Sequence, residues 1–194
     1  MSAECEHPGQ EALTHKRIVE ALQEAVAQSP VDVPLTKYLM RQSLRVRQEF
    51  IKRTPVSGVL KTYPAFKLPG MLLQDAKLHF GIDIFEAIQD KMAMYQHRAL
   101  IFLEDKKLEV LVKTPIIQVK EGSFSVFIDA VEAVCNIQST AEAVGTLMAA
   151  YYLFCIEYPA ELVHTMEFIE HFFCDLGSAT VAEPVKRLVT FLKK

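Results

Sequence analysis

The stretch from Ser139 to Leu176 constrains the fold of this chain more than any other. It contains a nearly unbroken apolar run over residues 143–156, then Glu157-Tyr158-Pro159, then an amphipathic run. A helix that is apolar on every side is buried in a protein core or lies in a membrane. Because this run has about 14 residues and a membrane-spanning helix needs about 20, we predict the buried central helix of a globular core, with no membrane partner.

The ends of this helix and of its successor carry local signals. Ser139 and Glu142 have the spacing of a capping box, in which the serine oxygen accepts a hydrogen bond from the first helical turn. Pro159 cannot continue the first helix but suits the first position of a second one. Gly177 suits the end of that second helix. We therefore predict a helical hairpin with its corner at Pro159, and with Cys155 buried and unreactive inside the first helix.

The second predicted helix carries four residue types that bind metals on its polar side: His164, Glu167, His171 and Cys174. A metal site needs ligands that converge in an enclosed place, usually from more than one element. These four side chains instead line the face of an amphipathic helix that faces water by default. The water-facing interpretation is the simpler one, and we predict neither a metal site nor a cofactor.

Composition places few limits on function. The chain has 194 residues, of which 51% are hydrophobic, and a formal net charge of −3. Its first ten residues are polar and have no secretory signal pattern. The four cysteines, Cys5, Cys135, Cys155 and Cys174, form no CxxC pair, so we predict reduced thiols in the cytoplasm or nucleus.

The predicted organisation has three parts. Residues 1–10 are expected to be a disordered tail, residues 11–34 an amphipathic helix with a proline-containing linker, and residues 35–194 a single helical domain. The first helix has a thin apolar face, and Pro30 and Pro34 interrupt the chain after it. We therefore expect this helix to dock loosely or to serve a partner.

The predicted fold class is mainly α, a compact helical domain with one small antiparallel β-hairpin near residues 115–128. Two β-rich segments flank a four-residue loop at residues 120–123. Residues 129–137 are predicted to return to helix. Residues 99–112 fit both a strand and a helix, and we favour helix there. Further helices are predicted over residues 36–53, 55–63, 71–79, 83–96 and 184–192.

The predicted helix over residues 36–53 is the most basic part of the chain. It is the candidate site for nucleic acid or phosphate groups. A solvated basic face is the simpler interpretation, because the helix lacks interleaved aromatic residues and a glycine-rich phosphate loop. The candidate nucleic-acid-binding residues are Lys37, Arg41, Arg45, Arg47, Lys52 and Arg53.

The sequence contains none of the motifs GxGxxG, GxxxxGK[ST], GxSxG or HExxH. A Cys–His pair would need Cys155, predicted to be buried, or Cys174, predicted on an exposed face without an electropositive pocket. We predict no catalytic residue and no enzyme. The predicted function is a non-catalytic protein-interaction or scaffold domain, with self-association as one form, and the alternative is a nucleic-acid or phosphate-binding module.

Five segments match the pattern of a known family: RQEFI at 47–51, YPAF at 63–66, TPII at 114–117, VFID at 126–129 and AAYYLFCIEYP at 149–159. Over roughly residues 36 to 176 the chain thus resembles the C-terminal region of the sterile alpha motif domain-containing protein 3-like family. The resemblance implies one compact domain and an intracellular setting, and it supplies no catalytic residue. The sterile alpha motif, which lies upstream in longer members, is outside it, and residues 66–69 depart from the family pattern.

Overall fold

The computed structural model describes residues 8–103, 114–120, 122–176 and 180–193. The described helices are α1 (Pro8–Ala27), α2 (Val33–Gln42), α3 (Leu44–Ile51), α4 (Val56–Thr62), α5 (Met71–Phe80), α6 (Ile84–Leu103), α7 (Thr140–Leu153), α8 (Val163–Phe168) and α9 (Glu183–Lys193). A 3₁₀ turn spans Pro64–Lys67, and a π-helical turn, Ile169–Phe173, follows α8 directly. The strands are β1 (Ile116–Lys120), β2 (Ser123–Ile128) and β3 (Val131–Ile137). The predicted class, mainly α with a small antiparallel β element, is confirmed.

Helix α7 is the central helix, as predicted. It packs against α5, α6 and the sheet, and Met148, Ala149 and Ala150 are completely buried. Ser139 caps it, because its Oγ accepts a hydrogen bond from the Glu142 N–H at 3.1 Å. A β-carbon at Gly145 would lie 2.9 Å from Leu73 Cδ2, so glycine lets α5 approach α7 closely here.

Pro159 lies in the connection between the two helices, but the predicted helix bounds are wrong, because α7 ends at Leu153 and α8 begins only at Val163. Cys155 has a φ of 51° and is exposed, although we predicted it to be buried. The Ile156 N–H donates to the Tyr151 carbonyl at 3.0 Å, and the Cys155 N–H donates to the Tyr152 carbonyl at 3.3 Å. This is the hydrogen-bond pattern of a Schellman motif, which ends a helix at a left-handed residue. The left-handed conformation turns Cys155 out of the core.

Cys174 was predicted on an exposed face and is instead completely buried. The π-helical turn is the cause: the Cys174 N–H donates to the Ile169 carbonyl, five residues earlier, at 3.1 Å. One extra residue in a turn rotates everything that follows by about 100°. Cys174 therefore enters the core beside Phe172 and Phe173.

The three strands form an antiparallel sheet in the order β1-β2-β3. Strands β1 and β2 are the predicted hairpin, and their pairing continues to Lys120 and Ser123, inside the predicted four-residue loop. The prediction of helix over residues 129–137 is wrong, because those residues contain β3. Asp129 and Ala130 have φ values of 51° and 60°, which suit the two-residue turn of a tight hairpin.

The three-residue spacing of Val131, Val134 and Ile137 caused this error. Two register shifts between β2 and β3 change the ordinary two-residue alternation of the strand. As a result Val131, Val134 and Ile137 pair with Ile128, Val126 and Phe124, which share one face of β2. A bulged strand thereby acquires a spacing that resembles a helical turn.

Helix α1 packs on the core rather than docking loosely. Leu22 and Ala25 are buried, and the helix contacts α2 and the 3₁₀ turn. It is also tied by the Gln23 side-chain amide, which donates to the Thr62 carbonyl at 3.1 Å. Because α2 already begins at Val33, residues 28–32 connect the two helices. Of the predicted disordered tail, residues 8–10 belong to α1, and residues 1–7 lie outside the described residues.

In the ambiguous stretch, α6 continues through residues 99–103, while residues 104–112 lie outside the described part of the chain. The predicted helix over residues 36–53 consists of two helices, α2 and α3, which meet at Ser43. The last predicted helix is confirmed as α9, whose inner side chains Val185, Val189 and Leu192 are buried. None of the described helices combines the length and apolarity needed to cross a membrane.

Candidate interaction surface on helices α2 and α3

Helices α2 and α3 form a nearly continuous amphipathic segment. Asp32 caps α2, because its Oδ1 accepts a hydrogen bond from the Leu35 N–H at 3.0 Å. At the junction, Ser43 keeps helical backbone angles, and its Oγ donates to the Leu39 carbonyl at 2.9 Å. The segment therefore turns one stripe inward over its whole length. The buried residues of this stripe are Thr36, Leu39, Met40, Ser43, Arg47 and Ile51.

Arg47 and Asp75 hold this segment on α5. Both side chains are buried, and Arg47 Nη2 donates to Asp75 Oδ1. Arg47 Nη1 also donates to the Met40 carbonyl at 2.7 Å and to Ser43 Oγ. Burial raises the pKa of Asp75, and attraction to the Arg47 guanidinium opposes that rise. The contacts of Arg47 are thus internal, and its side chain is not part of the exposed basic face.

Aromatic rings complete the surroundings of this ion pair. The Arg47 Cζ lies 5.7 Å from the centre of the Tyr63 ring and 5.6 Å from that of Phe66. His15, on α1, has its Nε2 2.7 Å from Tyr63 Oη. Burial and the nearby Arg47 lower the pKa of His15, while burial raises the pKa of Tyr63 to about 12. The cluster therefore connects α1, α3 and α5 and carries no surface chemistry.

The structure exposes the other five predicted basic residues, in two different environments. Lys52 and Arg53 both approach the Glu49 carboxylate, at 2.7 Å and 3.9 Å. Lys37, Arg41 and Arg45 are exposed and make no ion pair with a described residue. They lie four residues apart, so they form a row along the helix with about 6 Å between neighbours. Nucleic-acid binding by this row stays a prediction.

Exposed apolar side chains accompany this row, and sequence reasoning missed them. Val33, Leu35, Tyr38 and Val46 are 42%, 39%, 57% and 40% exposed. Tyr38 lies opposite the buried stripe, whereas Leu35, four residues before Leu39, and Val46, seven residues after it, lie at the edge of that stripe. Each is an ordinary helix residue in isolation, so no clear signal was present in the sequence. We call the surface made by both groups the α2–α3 face. Its members are Leu35, Lys37, Tyr38, Arg41, Arg45 and Val46, because Val33, seven residues before Met40, lies on the other side of the buried stripe.

The residues weighed as metal ligands do not converge. His164 is exposed and lies 3.4 Å from the Glu167 carboxylate, whereas Cys174 is buried in the core. Glu167 and His171 line a cleft of about 140 Å³ together with Glu170 and other residues. Within the described residues, no group of three or more His, Cys, Asp or Glu is placed to hold a metal ion.

Comparison with known proteins gives one weak similarity. No family model matches the chain, and no solved structure matches it. The chain is 24% identical over 193 aligned residues to Sterile alpha motif domain-containing protein 3 of Homo sapiens. The match covers 72% of this chain and 37% of the human protein, so the chain spans little more than a third of that relative. This similarity is to the same group of proteins that the sequence segments resemble.

Proposed function

We propose that this chain is a non-catalytic protein-interaction module and that the α2–α3 face is its contact surface. The observation that carries the proposal is the placement of exposed apolar side chains beside unpaired cations. Single exposed apolar residues are ordinary on a protein surface. Here, three of the seven large hydrophobic residues exposed in the described part of the chain, Leu35, Tyr38 and Val46, lie on the α2–α3 face. Such clustering is typical of an interaction site.

The chemistry of the face favours a protein over a nucleic acid. Tyrosine and arginine are the residue types enriched at the centres of protein interfaces, and Tyr38 lies between Lys37 and Arg41. Phosphate contacts use cations and hydrogen-bond donors, and aliphatic side chains contribute nothing to them. Leu35 and Val46 make the surface beside the cations apolar. The buried Arg47 does not contribute to the basic surface. Scaffolding and self-association are included in the proposal.

Free thiols support the proposed cytoplasmic or nuclear setting. Cys135, Cys155 and Cys174 are all unpaired in the structure. Disulfides form and persist in oxidising compartments, so unpaired cysteines fit a reducing one.

Site-specific photo-crosslinking in cells tests the proposal. A benzophenone amino acid in place of Tyr38 should yield discrete protein adducts. The matched control places the same group at Met94, which is 72% exposed on α6. Adducts at position 38 that disappear in an Arg41→Glu/Arg45→Glu background would support the proposal. Identical adduct patterns at both positions, or none at position 38, would contradict it.

The nucleic-acid alternative has its own measurement. The purified chain is titrated against mixed-sequence RNA and duplex DNA by fluorescence anisotropy, at low and at near-physiological salt. Phosphate-driven binding weakens steeply as salt rises, because counterions are released from the nucleic acid. We expect no such binding. Steeply salt-dependent binding that Arg41→Glu/Arg45→Glu abolishes would make the α2–α3 face a nucleic-acid surface.

A further inference from the structure

The cations of the α2–α3 face form a straight row beside an apolar stripe. Lys37, Arg41 and Arg45 repeat every four residues, and the apolar stripe consists of Leu35, Tyr38 and Val46, with the exposed Gln42 between Tyr38 and Val46. At 1.5 Å per residue the stripe is about 16 Å long, or three helical turns. A matching partner therefore presents apolar side chains for about three turns, with a row of charged groups on one flank.

The sign of that charge follows from what surrounds the row. Glu49 is the nearest carboxylate on α3, and Lys52 and Arg53 already contact it. The Asp32 carboxylate accepts the hydrogen bond that caps α2. Lys52 chiefly lowers the pKa of Glu49, and the Arg45 guanidinium helps to lower it. None of the three cations in the row forms an ion pair with a described residue, so the row keeps an excess of positive charge. Carboxylates in the partner would complement it, whereas cations would be repelled.

The backbone of the face decides the conformation of the partner. An extended peptide gains affinity by adding a strand to a sheet edge, where unpaired N–H and C=O groups accept it. The interior N–H and C=O groups of α2 and α3 are already bonded within the helices, so they offer nothing to an extended chain. A segment that packs here must satisfy its own backbone hydrogen bonds, and a helix does so.

We infer that the partner segment of the α2–α3 face is an acidic amphipathic helix whose carboxylates repeat every four residues beside an apolar stripe. This inference rests on the proposed function and names the chemistry of the partner. The carboxylate row would lie against Lys37, Arg41 and Arg45. The apolar stripe would cover Leu35, Tyr38 and Val46, removing them from water.

Three fluorescent peptides of about 20 residues, each long enough for a helix that covers the face, test the inference with the full chain. The first has glutamates at four-residue spacing beside a leucine stripe. The second has the same composition but breaks that spacing, and the third replaces the glutamates with lysines. We expect micromolar binding of the first peptide by anisotropy, and binding about tenfold weaker for each of the others.

Variants of the chain locate the binding. Arg41→Glu/Arg45→Glu and Leu35→Ser/Tyr38→Ser should each weaken binding of the first peptide about tenfold. The matched control is Lys186→Glu/Lys193→Glu, which makes the same charge change on exposed positions of α9 and should leave binding unchanged. All four substituted positions of the face are exposed, so circular dichroism should show an unchanged fold.

The outcomes separate this inference from the proposed function. Equal binding of the first two peptides would mean diffuse charge attraction and would overturn the acidic-helix inference. Failure of all three peptides, with position 38 still cross-linking to a protein, would overturn the inference and leave the proposed function standing. Cross-linking of position 38 to a second copy of this chain would show that the face mediates self-association. That result would overturn the acidic-helix inference. Absence of any adduct at position 38 would contradict both the proposed function and the acidic-helix inference.

Discussion

Arg47 is one of six basic residues in a helical segment whose other five cations are exposed, and it is completely buried. It lies on the same stripe as Leu39 and Ser43, four residues beyond the latter. Its Nε and the Asp75 Oδ2 have no hydrogen-bond partner in the described structure, so neither charged group is fully compensated. Removing two such charges from water is costly, and an incompletely bonded pair regains only part of that cost.

Removing one member of this pair should be worse than removing both. Asp75→Ala would leave the Arg47 charge buried and unpaired, which costs about 3–5 kcal/mol of unfolding free energy. Arg47→Met/Asp75→Leu removes both charges and keeps apolar volume, so it should recover most of that loss. Urea denaturation of the two variants and the parent chain measures the difference. A double variant no more stable than Asp75→Ala would contradict the expectation.

The pH dependence of stability should carry a contribution from His15. Burial and Arg47 lower the pKa of His15 in the folded chain below the ordinary 6.5, and Tyr63 Oη occupies its Nε2. The unfolded chain therefore takes up this proton at a higher pH than the folded chain. The contribution to stability is present above pH 6.5 and is lost as the pH falls through the lowered folded pKa.

Replacing His15 with a group that does not titrate tests this contribution. His15→Phe should flatten the decrease in melting temperature between about pH 8 and pH 5. The control is His171→Gln, at an exposed position of the π-helical turn, which should leave the decrease as it is. The same slope in the parent chain and His15→Phe would show that His15 contributes nothing.

Sequence reasoning at the residue scale reaches only part of this cluster. Arg47 lies on a stripe with Leu39, Met40 and Ser43, and that position could have indicated burial. Its partner Asp75 is 28 residues away. No spacing rule joins two residues that far apart, because their contact depends on how α3 and α5 pack.

At the scale of elements, Ser139 is the clearest local determinant of a helix start. Its Oγ satisfies one backbone donor that α7 could not pair internally. Ser139→Ala should therefore lower the unfolding free energy by about 1 kcal/mol, and Ser139→Asp should keep the cap. Thr140→Ala, one residue into the helix, is the matched control and should have little effect. Denaturation curves that are equal for Ser139→Ala and Thr140→Ala would exclude a capping contribution.

Helix starts with a side-chain cap were easier to predict than the left-handed end of α7 and the bulged strand β3. The cap at Ser139 depends on two residues three apart and forms as predicted, and Asp83 accepts a hydrogen bond from the Glu86 N–H at the start of α6 in the same way. The end of α7 at Cys155 was missed because a non-glycine residue takes the left-handed conformation. The π-helical turn was missed for a related reason: its residues have the composition of an ordinary amphipathic helix, and only the hydrogen-bond partner changes.

At the scale of the whole molecule, α1 decides whether the chain unfolds as one unit. Leu22, which is completely buried, belongs to the same hydrophobic core as Leu192 near the other end of the chain. Leu22→Ala should therefore cost about 2–5 kcal/mol of global stability. Far-ultraviolet circular dichroism and tyrosine fluorescence should report one coincident transition in both parent and variant. Two separate transitions would show that α1 unfolds independently.

The fold class was predictable because the long apolar run and the β-rich pair require nothing beyond local pattern. Of the α2–α3 face, only the cations Lys37, Arg41 and Arg45 were predicted from the sequence. The cations were visible in the sequence, but whether Leu35 and Tyr38 face water depends on which side of the helix the core occupies. The partner chemistry that we propose therefore depends on knowing which residues form the buried stripe.

Cys155 and Cys174 have exposures opposite to those predicted, and the difference between the two thiols allows unfolding to be followed chemically. Cys155 is exposed, whereas Cys174 is buried, and that burial raises the pKa of the Cys174 thiol to about 12. Only a thiolate reacts readily with a maleimide. In the native state Cys155 should therefore be modified within the reaction time, and Cys174 only after the π-helical turn has opened. At a maleimide concentration high enough for labelling to outpace reclosing, the rate at which Cys174 acquires a label would then give the opening rate of that turn, without any engineered probe.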